Sequence, residues 1–293
     1  MRGRLRPVTD CPGRMALWTF NDSTGGQAGD TSSGYVVDQG YVMHTATAIR
    51  PLPSDLVASY RSRGFCLVDG LLSPEACARY RDEELRLSED KDRQRSSTRV
   101  FRQRVNVWRD SPLLAELTLH PLLTAWATQL AGVPLRLWHD HALVKEPHNG
   151  IPTEFHQDQP YWPHTDSFEP ISAWIALQDV PPERGCMSFI PGSHRFTEVA
   201  MQNLGDPRSL FEKCPALEWM ERVTVPIKAG SVTFHHGRTA HRAYANDTDE
   251  FRVAHTVIFM PRTTRWDGRE HAVVKAGDFQ VGDLIQGELF PLV

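Results

Sequence analysis

From Leu135 to the C-terminus the chain is cut by proline and glycine into apolar runs too short for domain-spanning helices. The runs are Leu135–Val144, Pro152–Gln159, Ile171–Leu177, Met187–Ile190, Val223–Ile227, Ser231–His235, His241–Tyr244 and Arg252–Met260, and they are rich in Val, Ile, Phe and Trp. These residues suit a pleated, half-buried surface, and about eight short strands between turn signals predict a jelly roll or cupin-like barrel. The chain before Leu135 reads differently. Leu56–Arg61 looks helical, and Gly64-Phe65-Cys66-Leu67-Val68 reads as a strand. Ser73-Pro74-Glu75-Ala76 starts a helix, with Ser as N-cap, Pro at the first helical position and Glu at the positive end of the dipole. The charged stretch from Arg81 to Arg99 reads as a solvated helix ending in a loop. Ser111 to Ala131 has helical periodicity and stops at Gly132. The predicted class is therefore mainly β with flanking helices.

Residues 1–51 are expected to be a variable or partly ordered segment, since 24–34 have a linker composition. An ordered domain is expected over 52–293, with a lid-like insertion at 195–222 that is too long for a plain hairpin loop. A formal net charge of -4 offers no basic field for nucleic acid or an anionic membrane. The most apolar stretch, Pro112 to Leu135, is broken by Glu116, His120, Pro121 and Pro134, so no membrane span is expected. Arg2, Arg4 and Arg6 are followed by no apolar run of the kind a secretory leader needs. Five scattered cysteines without a CxxC pair favour reduced thiols, and a cytoplasmic location, over a zinc ribbon or a disulfide framework. Neither GxSxG nor a Walker A pattern occurs, so hydrolase and nucleotide-cleaving chemistry lack a signal.

The residues that carry chemistry centre on His156-Gln157-Asp158. On an extended segment an imidazole and a carboxylate two positions apart share a face. Together with a distant histidine they make a 2-His-1-carboxylate triad, which holds non-haem Fe(II) and leaves other positions open. His241 is the candidate third ligand, and Arg252 follows eleven residues later. A guanidinium presents a bidentate fork for a carboxylate, and strands bearing His241 and Arg252 are expected to be antiparallel neighbours. Competing patterns exist. His164-Thr165-Asp166 is a second HxD, but it lies among Pro160, Pro163 and Pro170, which disfavour a paired strand interior. His139-Asp140-His141 offers a cupin-type pair. Any one of these histidines, taken alone, reads as a hydrogen-bonded structural residue, and a lone arginine as a salt-bridge partner.

Three segments together resemble the phytanoyl-CoA dioxygenase family: His156-Gln157-Asp158-Gln159-Pro160-Tyr161-Trp162, Ser172-Ala173-Trp174-Ile175-Ala176-Leu177-Gln178-Asp179-Val180, and Gly185-Cys186-Met187-Ser188-Phe189-Ile190-Pro191-Gly192-Ser193-His194. The resemblance covers about Pro53 to Val293. It implies a double-stranded β-helix and an Fe(II)- and 2-oxoglutarate-dependent oxygenase that uses O2. Carried onto this chain, it makes His156, Asp158 and His241 the iron ligands. Arg252 becomes the grip on the distal carboxylate of 2-oxoglutarate, with Trp174, Gln157, His141 and Arg104 as further co-substrate contacts. Gln157 would need a local twist to reach the metal, and Lys145 is another nearby cation. Ala243 stands where family members often carry a hydroxyl, so one co-substrate hydrogen bond is either missing or supplied by Thr233 or Thr239. Asp158 occupies the position that related halogenases leave to Gly or Ala, which favours hydroxylation or another oxidation.

Tyr161, Trp162 and Arg102, with the 195–222 insertion and the Arg99–Trp108 segment, are the candidate substrate walls. The expected substrate is a small molecule, in first place a secondary metabolite. Arg99, Arg102, Arg104 and Arg109 leave an acyl-CoA open, although such a run also reads as a solvated strand face. Two readings compete. One is a non-catalytic metal- or sugar-binding jelly roll. The other is a cupin-type isomerase or dioxygenase that uses His139, His141 and a later histidine without 2-oxoglutarate.

Overall fold

The structure is a computed structural model that describes residues 49–89, 96–98 and 100–293. Most of the expected N-terminal segment, with Cys11 and Arg99, lies outside the described residues. The element order is α1 (Ser54–Arg63), β1 (Phe65–Val68), α2 (Pro74–Ser88), β2 (Ser96–Thr98), β3 (Phe101–Val105), α3 (Pro112–Thr118), α4 (Pro121–Ala131), β4 (Leu135–Lys145), β5 (Thr153–His156), β6 (His164–Thr165), β7 (Ile171–Ala176), β8 (Met187–Phe189), α5 (Ser209–Lys213), β9 (Val223–Val225), β10 (Val232–His236), β11 (His241–Ala243), β12 (Arg252–Pro261) and β13 (Arg265–Trp266). A seven-stranded sheet runs β1-β10-β7-β12-β4-β3-β2, and a four-stranded sheet runs β5-β11-β8-β9. All their pairings are antiparallel. This is a jelly roll.

The two sheets meet through side chains that alternate in and out of the pleat. Phe65 of β1 stacks on Phe189 of β8 with ring centroids 4.4 Å apart and planes 10° off parallel. Trp174, Met187 and Ala254 fill out that inter-sheet core. The outer face of the larger sheet is apolar as well: Ile171, Ile175, Phe234, Val253, Val257 and Phe259 pack under α1, α2, α3 and α4. Ser73 caps α2 by accepting from the Ala76 amide, with Pro74 in the first turn. The periodic stretch from Ser111 to Ala131 forms two helices rather than one. Pro121 has no N–H to donate, so a second helix starts there, with the Nδ1 of His120 accepting from the Leu122 amide. The charged stretch expected to be helical to Arg99 ends its helix at Ser88, and the β2–β3 hairpin follows. Among the described residues no helix is long and apolar enough to cross a membrane. Cys66, Cys77, Cys186 and Cys214 are unpaired.

The 195–222 insertion packs behind the smaller sheet. Val199, Leu210, Phe211 and Leu217 bury against Phe155 of β5, Ile190 and Ala240.

Candidate metal centre

His156 is the last residue of β5 and pairs across the sheet with His241 at the start of β11. That register places the two imidazoles side by side, with ring centroids 4.3 Å apart. Asp158 arrives by a different route from the one its spacing suggests. The strand has already ended, and Asp158 takes helical backbone angles (φ -73, ψ -43) at the start of a short 3-10 turn. The turn swings its carboxylate back, with Oδ1 3.5 Å from His156 Nε2 and 3.7 Å from His241 Nε2. One ligand atom from each of the three residues lies within 4.8 Å of the others, the one such grouping of three or more His, Cys, Asp or Glu among the described residues.

The protonation pattern suits a divalent metal. His156 Nδ1 lies 2.7 Å from the Glu154 carbonyl and His241 Nδ1 lies 2.9 Å from the Thr239 carbonyl. Each ring therefore donates Nδ1–H to the backbone and turns a bare Nε2 toward Asp158. Burial, reinforced by His156, pushes the His241 imidazole down to about 3, so it stays neutral. Burial alone would raise the Asp158 carboxyl, but His241, His156 and His235 outweigh it and hold the group well below its usual range. The second carboxylate oxygen, Oδ2, is held by the Ser172 hydroxyl at 3.1 Å and by His235 Nε2 at 3.2 Å. Oδ1 is thereby left for the metal. Ser172 and His235 were missed from the sequence, although both sit on strands read correctly.

A cavity of about 140 Å³ opens beside the triad, bounded by Gln103, His141, Trp174, Ala243, Arg252 and Thr256 among others. Arg252 lies on β12 of the larger sheet and His241 on β11 of the smaller one. The expectation that they would be hairpin neighbours is wrong: the residues between Ala243 and Arg252 cross from one sheet to the other, so the pair meets across the barrel. Arg252 is 1% exposed, and its Nε and Nη1 have no hydrogen-bond partner among the described residues. Its guanidinium carbon lies 5.5 Å from the centre of the Trp174 ring. Burial lowers it only to about 10, so it remains a cation at neutral pH. A buried guanidinium with two nitrogens unpartnered among the described residues, facing the His–Asp–His triad, fits a dianionic keto acid spanning metal and arginine. The Thr256 hydroxyl on the same cavity also lacks a partner among the described residues. Thr239, one of two expected substitutes for the hydroxyl missing at Ala243, instead donates to the Gly64 carbonyl at 2.7 Å. The other, Thr233, keeps an unpartnered hydroxyl but does not line the cavity.

A second chamber of about 410 Å³ adjoins the first, sharing Gln103, His141, Asp158 and Ile258 with it, and Tyr161 and Trp162 form part of its wall. A Cβ at Gly237 would come within 2.7 Å of the Trp162 ring, so glycine is what lets that indole seat. No residue of 195–222 lines either cavity. The segment touches the chamber wall through Gln202, whose carbonyl accepts from the Tyr161 hydroxyl.

Three expected contacts do not reach either cavity. Gln157 points to the opposite side of the turn from its two neighbours, where its amide donates to the carbonyls of Arg238 (2.7 Å), Phe196 (3.1 Å) and Ser193 (3.4 Å). Arg104 faces outward from β3, donating to Asp110 Oδ2 (2.7 Å) and the Leu87 carbonyl (2.9 Å), because strand parity gives the inner face to Phe101, Gln103 and Val105. Arg102 shares that outward parity and pairs with Glu146. Lys145 is buried and pushed down to about 6 by desolvation, with its amine on the carbonyls of Tyr244 (2.7 Å) and Ile151 (3.1 Å). His164 of the second HxD packs edge-on against Trp138 at 4.4 Å. His139 and His141 line the second chamber.

A model of the phytanoyl-CoA dioxygenase family matches residues 60–254. The mouse phytanoyl-CoA dioxygenase domain-containing protein 1 is 32% identical over 154 residues, covering 51% of this chain and 53% of that protein. The chain thus spans about half the length of the curated relatives it matches. Among solved structures, the non-haem alpha-ketoglutarate-dependent carbocyclase SnoK from nogalamycin biosynthesis superposes with a TM-score of 0.73 at 35% identity, covering 83% of this chain and 96% of that one. The epimerase SnoN in complex with Fe3+, alpha-ketoglutarate and nogalamycin RO gives 0.72 at 34% identity, covering 81% and 97%.

Proposed function

Since this chain belongs to the phytanoyl-CoA dioxygenase family, we propose that it is an Fe(II)- and 2-oxoglutarate-dependent oxygenase acting on an unactivated C–H of a small secondary metabolite. His156, Asp158 and His241 hold the iron. Arg252 binds the distal carboxylate of 2-oxoglutarate, and Trp174 packs against the guanidinium. When bound, iron, 2-oxoglutarate and O2 together supply an oxidant able to take hydrogen from a C–H bond, with release of succinate and CO2.

The remaining work belongs to the chain. Ser172 and His235 fix the carboxylate so that it offers one oxygen. The backbone carbonyls of Glu154 and Thr239 fix both imidazole tautomers. The burial of Arg252 between the two sheets strengthens its pairing with a carboxylate. His141 stands between the co-substrate cavity and the second chamber, where the substrate is placed. Asp158 at the carboxylate position supports oxygenation or oxidative rearrangement over halogenation. The likeness to a carbocyclase and an epimerase supports a reaction on a natural-product scaffold, and the unpaired cysteines support a reducing compartment such as the cytoplasm.

One observation carries the reading: a buried arginine whose Nε and Nη1 have no hydrogen-bond partner among the described residues, across the cavity from three convergent ligands. The test is anaerobic loading with Fe(II) and 2-oxoglutarate, followed by exposure to air with a metabolite extract. The expected result is iron-dependent succinate together with a product altered by one oxygen or by loss of two hydrogens. Absence of succinate from protein that binds both iron and 2-oxoglutarate would refute it.

A further inference from the structure

The second chamber has a chemical character of its own. Among the described residues its wall contains no lysine or arginine. The nearest guanidinium in sequence, Arg269, is already held by the Asp267 carboxylate and by the carbonyls of Pro160 and Trp162. The arginines of β3 turn outward to Asp110 and Glu146. What the chamber does present is ring faces and neutral hydrogen-bonding atoms. His139 and His271 lie with ring centroids 5.5 Å apart, and His139 and His141 lie 5.3 Å apart. Burial first, and then the neighbouring imidazoles, keep His139 well below its ordinary value; burial brings His141 down to about 4. Both rings are therefore uncharged at neutral pH. Gln103 Nε2 lies 3.0 Å from His141 Nδ1, so the amide donates to that nitrogen and leaves Nε2–H as a donor. Tyr161 and Trp162 add aromatic surface. Apart from the metal ligand Asp158, the one carboxylate in the wall is Glu270, which is exposed at the rim.

A phosphate or carboxylate placed here would meet two neutral imidazoles and a carboxylate, with no lysine or arginine among the described wall residues, and such burial is unfavourable. A planar ring with hydroxyl or carbonyl groups finds stacking partners and donors, and a basic amine finds Glu270. We propose that the chamber selects a flat, oxygenated ring system bearing a basic amine, and discriminates against anionic substrates, acyl-CoA among them. The proposal rests on the oxygenase reading for the identity of the reacting site, but its test does not depend on turnover.

Three ligands of one ring shape serve as probes: 9-aminoacridine (cationic), acridone (neutral) and acridine-9-carboxylate (anionic). Each is titrated by fluorescence anisotropy into anaerobic protein loaded with Fe(II) and 2-oxoglutarate. The cation is expected to bind at least tenfold more tightly than the anion, with the neutral ring between them. Glu270→Gln should weaken the cation about two- to fivefold and leave acridone unchanged, the range for one rim charge. Ala272→Trp, which fills the chamber from a loop, should abolish binding of the cation, and free coenzyme A should not displace it. An anion that binds as well as the cation, a cation-to-anion ratio unmoved by Glu270→Gln, binding that survives Ala272→Trp, or displacement by coenzyme A would each overturn the proposal. Succinate formation is followed separately. Its absence would count against the oxygenase reading while the binding ratios still decide the nature of the chamber.

Discussion

Replacing Arg252 with methionine is expected to move stability in opposite directions with and without 2-oxoglutarate. In the co-substrate-free protein the guanidinium is 1% exposed and its Nε and Nη1 are unpartnered. An unsatisfied buried polar group costs about 1–3 kcal/mol, and more when charged. Methionine preserves much of the volume and is adaptable in shape, so the variant without co-substrate should melt at the wild-type temperature or a few degrees above it. In the loaded protein the same buried group would make charge-assisted hydrogen bonds to a carboxylate. Their loss, at about 3 kcal/mol, weakens 2-oxoglutarate binding on the order of 100-fold. At a ligand concentration about 100 times the wild-type Kd, protection falls from about 2.7 kcal/mol to about 0.4 kcal/mol. At roughly 2–4 °C per kcal/mol, a ligand-induced rise of about 5–10 °C shrinks to about 1 °C. Differential scanning fluorimetry with Fe(II) under nitrogen, with and without 2-oxoglutarate, reads both signs in one experiment. A variant that melts several degrees lower without co-substrate and keeps the full ligand-induced rise would refute the reasoning, because Arg252 would then be a structural cation whose partner is a protein group.

Three further outcomes follow from the geometry. His235→Phe removes one of two groups on Asp158 Oδ2 and is expected to lower Fe(II) affinity about 10- to 100-fold in a competitive chelator titration; unchanged affinity would remove His235 from the metal's support. Gln157→Ala leaves the carbonyls of Ser193, Phe196 and Arg238 without this donor, so it should destabilise the fold by about 1–3 kcal/mol while the Kd for 2-oxoglutarate stays within about twofold; a large loss of co-substrate affinity would restore Gln157 to the cavity. On the outer face of β4 and β12, His255 lies fully buried against Glu84 Oε1 (2.6 Å) and Thr118 Oγ1 (2.9 Å), and Thr118 donates to Asp140 Oδ2 (2.6 Å). Burial raises Glu84, and it raises Asp140 to about 6; burial alone would lower His255, but the Glu84 hydrogen bond and the charges of Glu84 and Asp140 raise it. All three groups thus bind protons more tightly folded than unfolded. Their contribution is full at low pH, is lost from about pH 4 to about 6 for Asp140, and is lost further as His255 deprotonates. Relative to Asp140→Asn, the wild type should therefore lose melting temperature as pH rises across this range; a difference that stays constant with pH would count against the assignment.

The strands of the barrel were legible because proline and glycine separate them and because β-branched and aromatic residues fill them. The ends of β4, β7, β8, β11 and β12 fall within about a residue of the apolar runs. The β2–β3 hairpin was not legible, since its Arg-rich sequence resembles a solvated helix; once it is known as a strand, parity alone would have chosen Gln103 over Arg104. Strand pairing was harder still. The short spacing from His241 to Arg252 fits a hairpin as well as a crossover between sheets, and nothing local distinguishes them. Asp158 was placed beside His156 for an incomplete reason: the spacing was right, but a helical turn supplies the convergence and not the pleat. His235 and Ser172 face the site because of how β10 and β7 pair with their neighbours, which the sequence of either strand alone does not encode. A register shift between Ile258 and Phe259 of β12, opposite Leu137 and His139, is likewise invisible to a period-2 reading, yet it lies beside the β4 residues that face the second chamber.

Iron stoichiometry in three proteins tests the central claim most directly. Wild type and the variants His241→Ala and His139→Ala are reconstituted anaerobically with Fe(II), desalted and assayed for bound metal. The account predicts one iron per chain in the wild type and in His139→Ala, with loss of tight binding in His241→Ala. Iron retained in His241→Ala and lost in His139→Ala would contradict it, placing the metal in the imidazole-lined chamber instead of at the His156–Asp158–His241 centre.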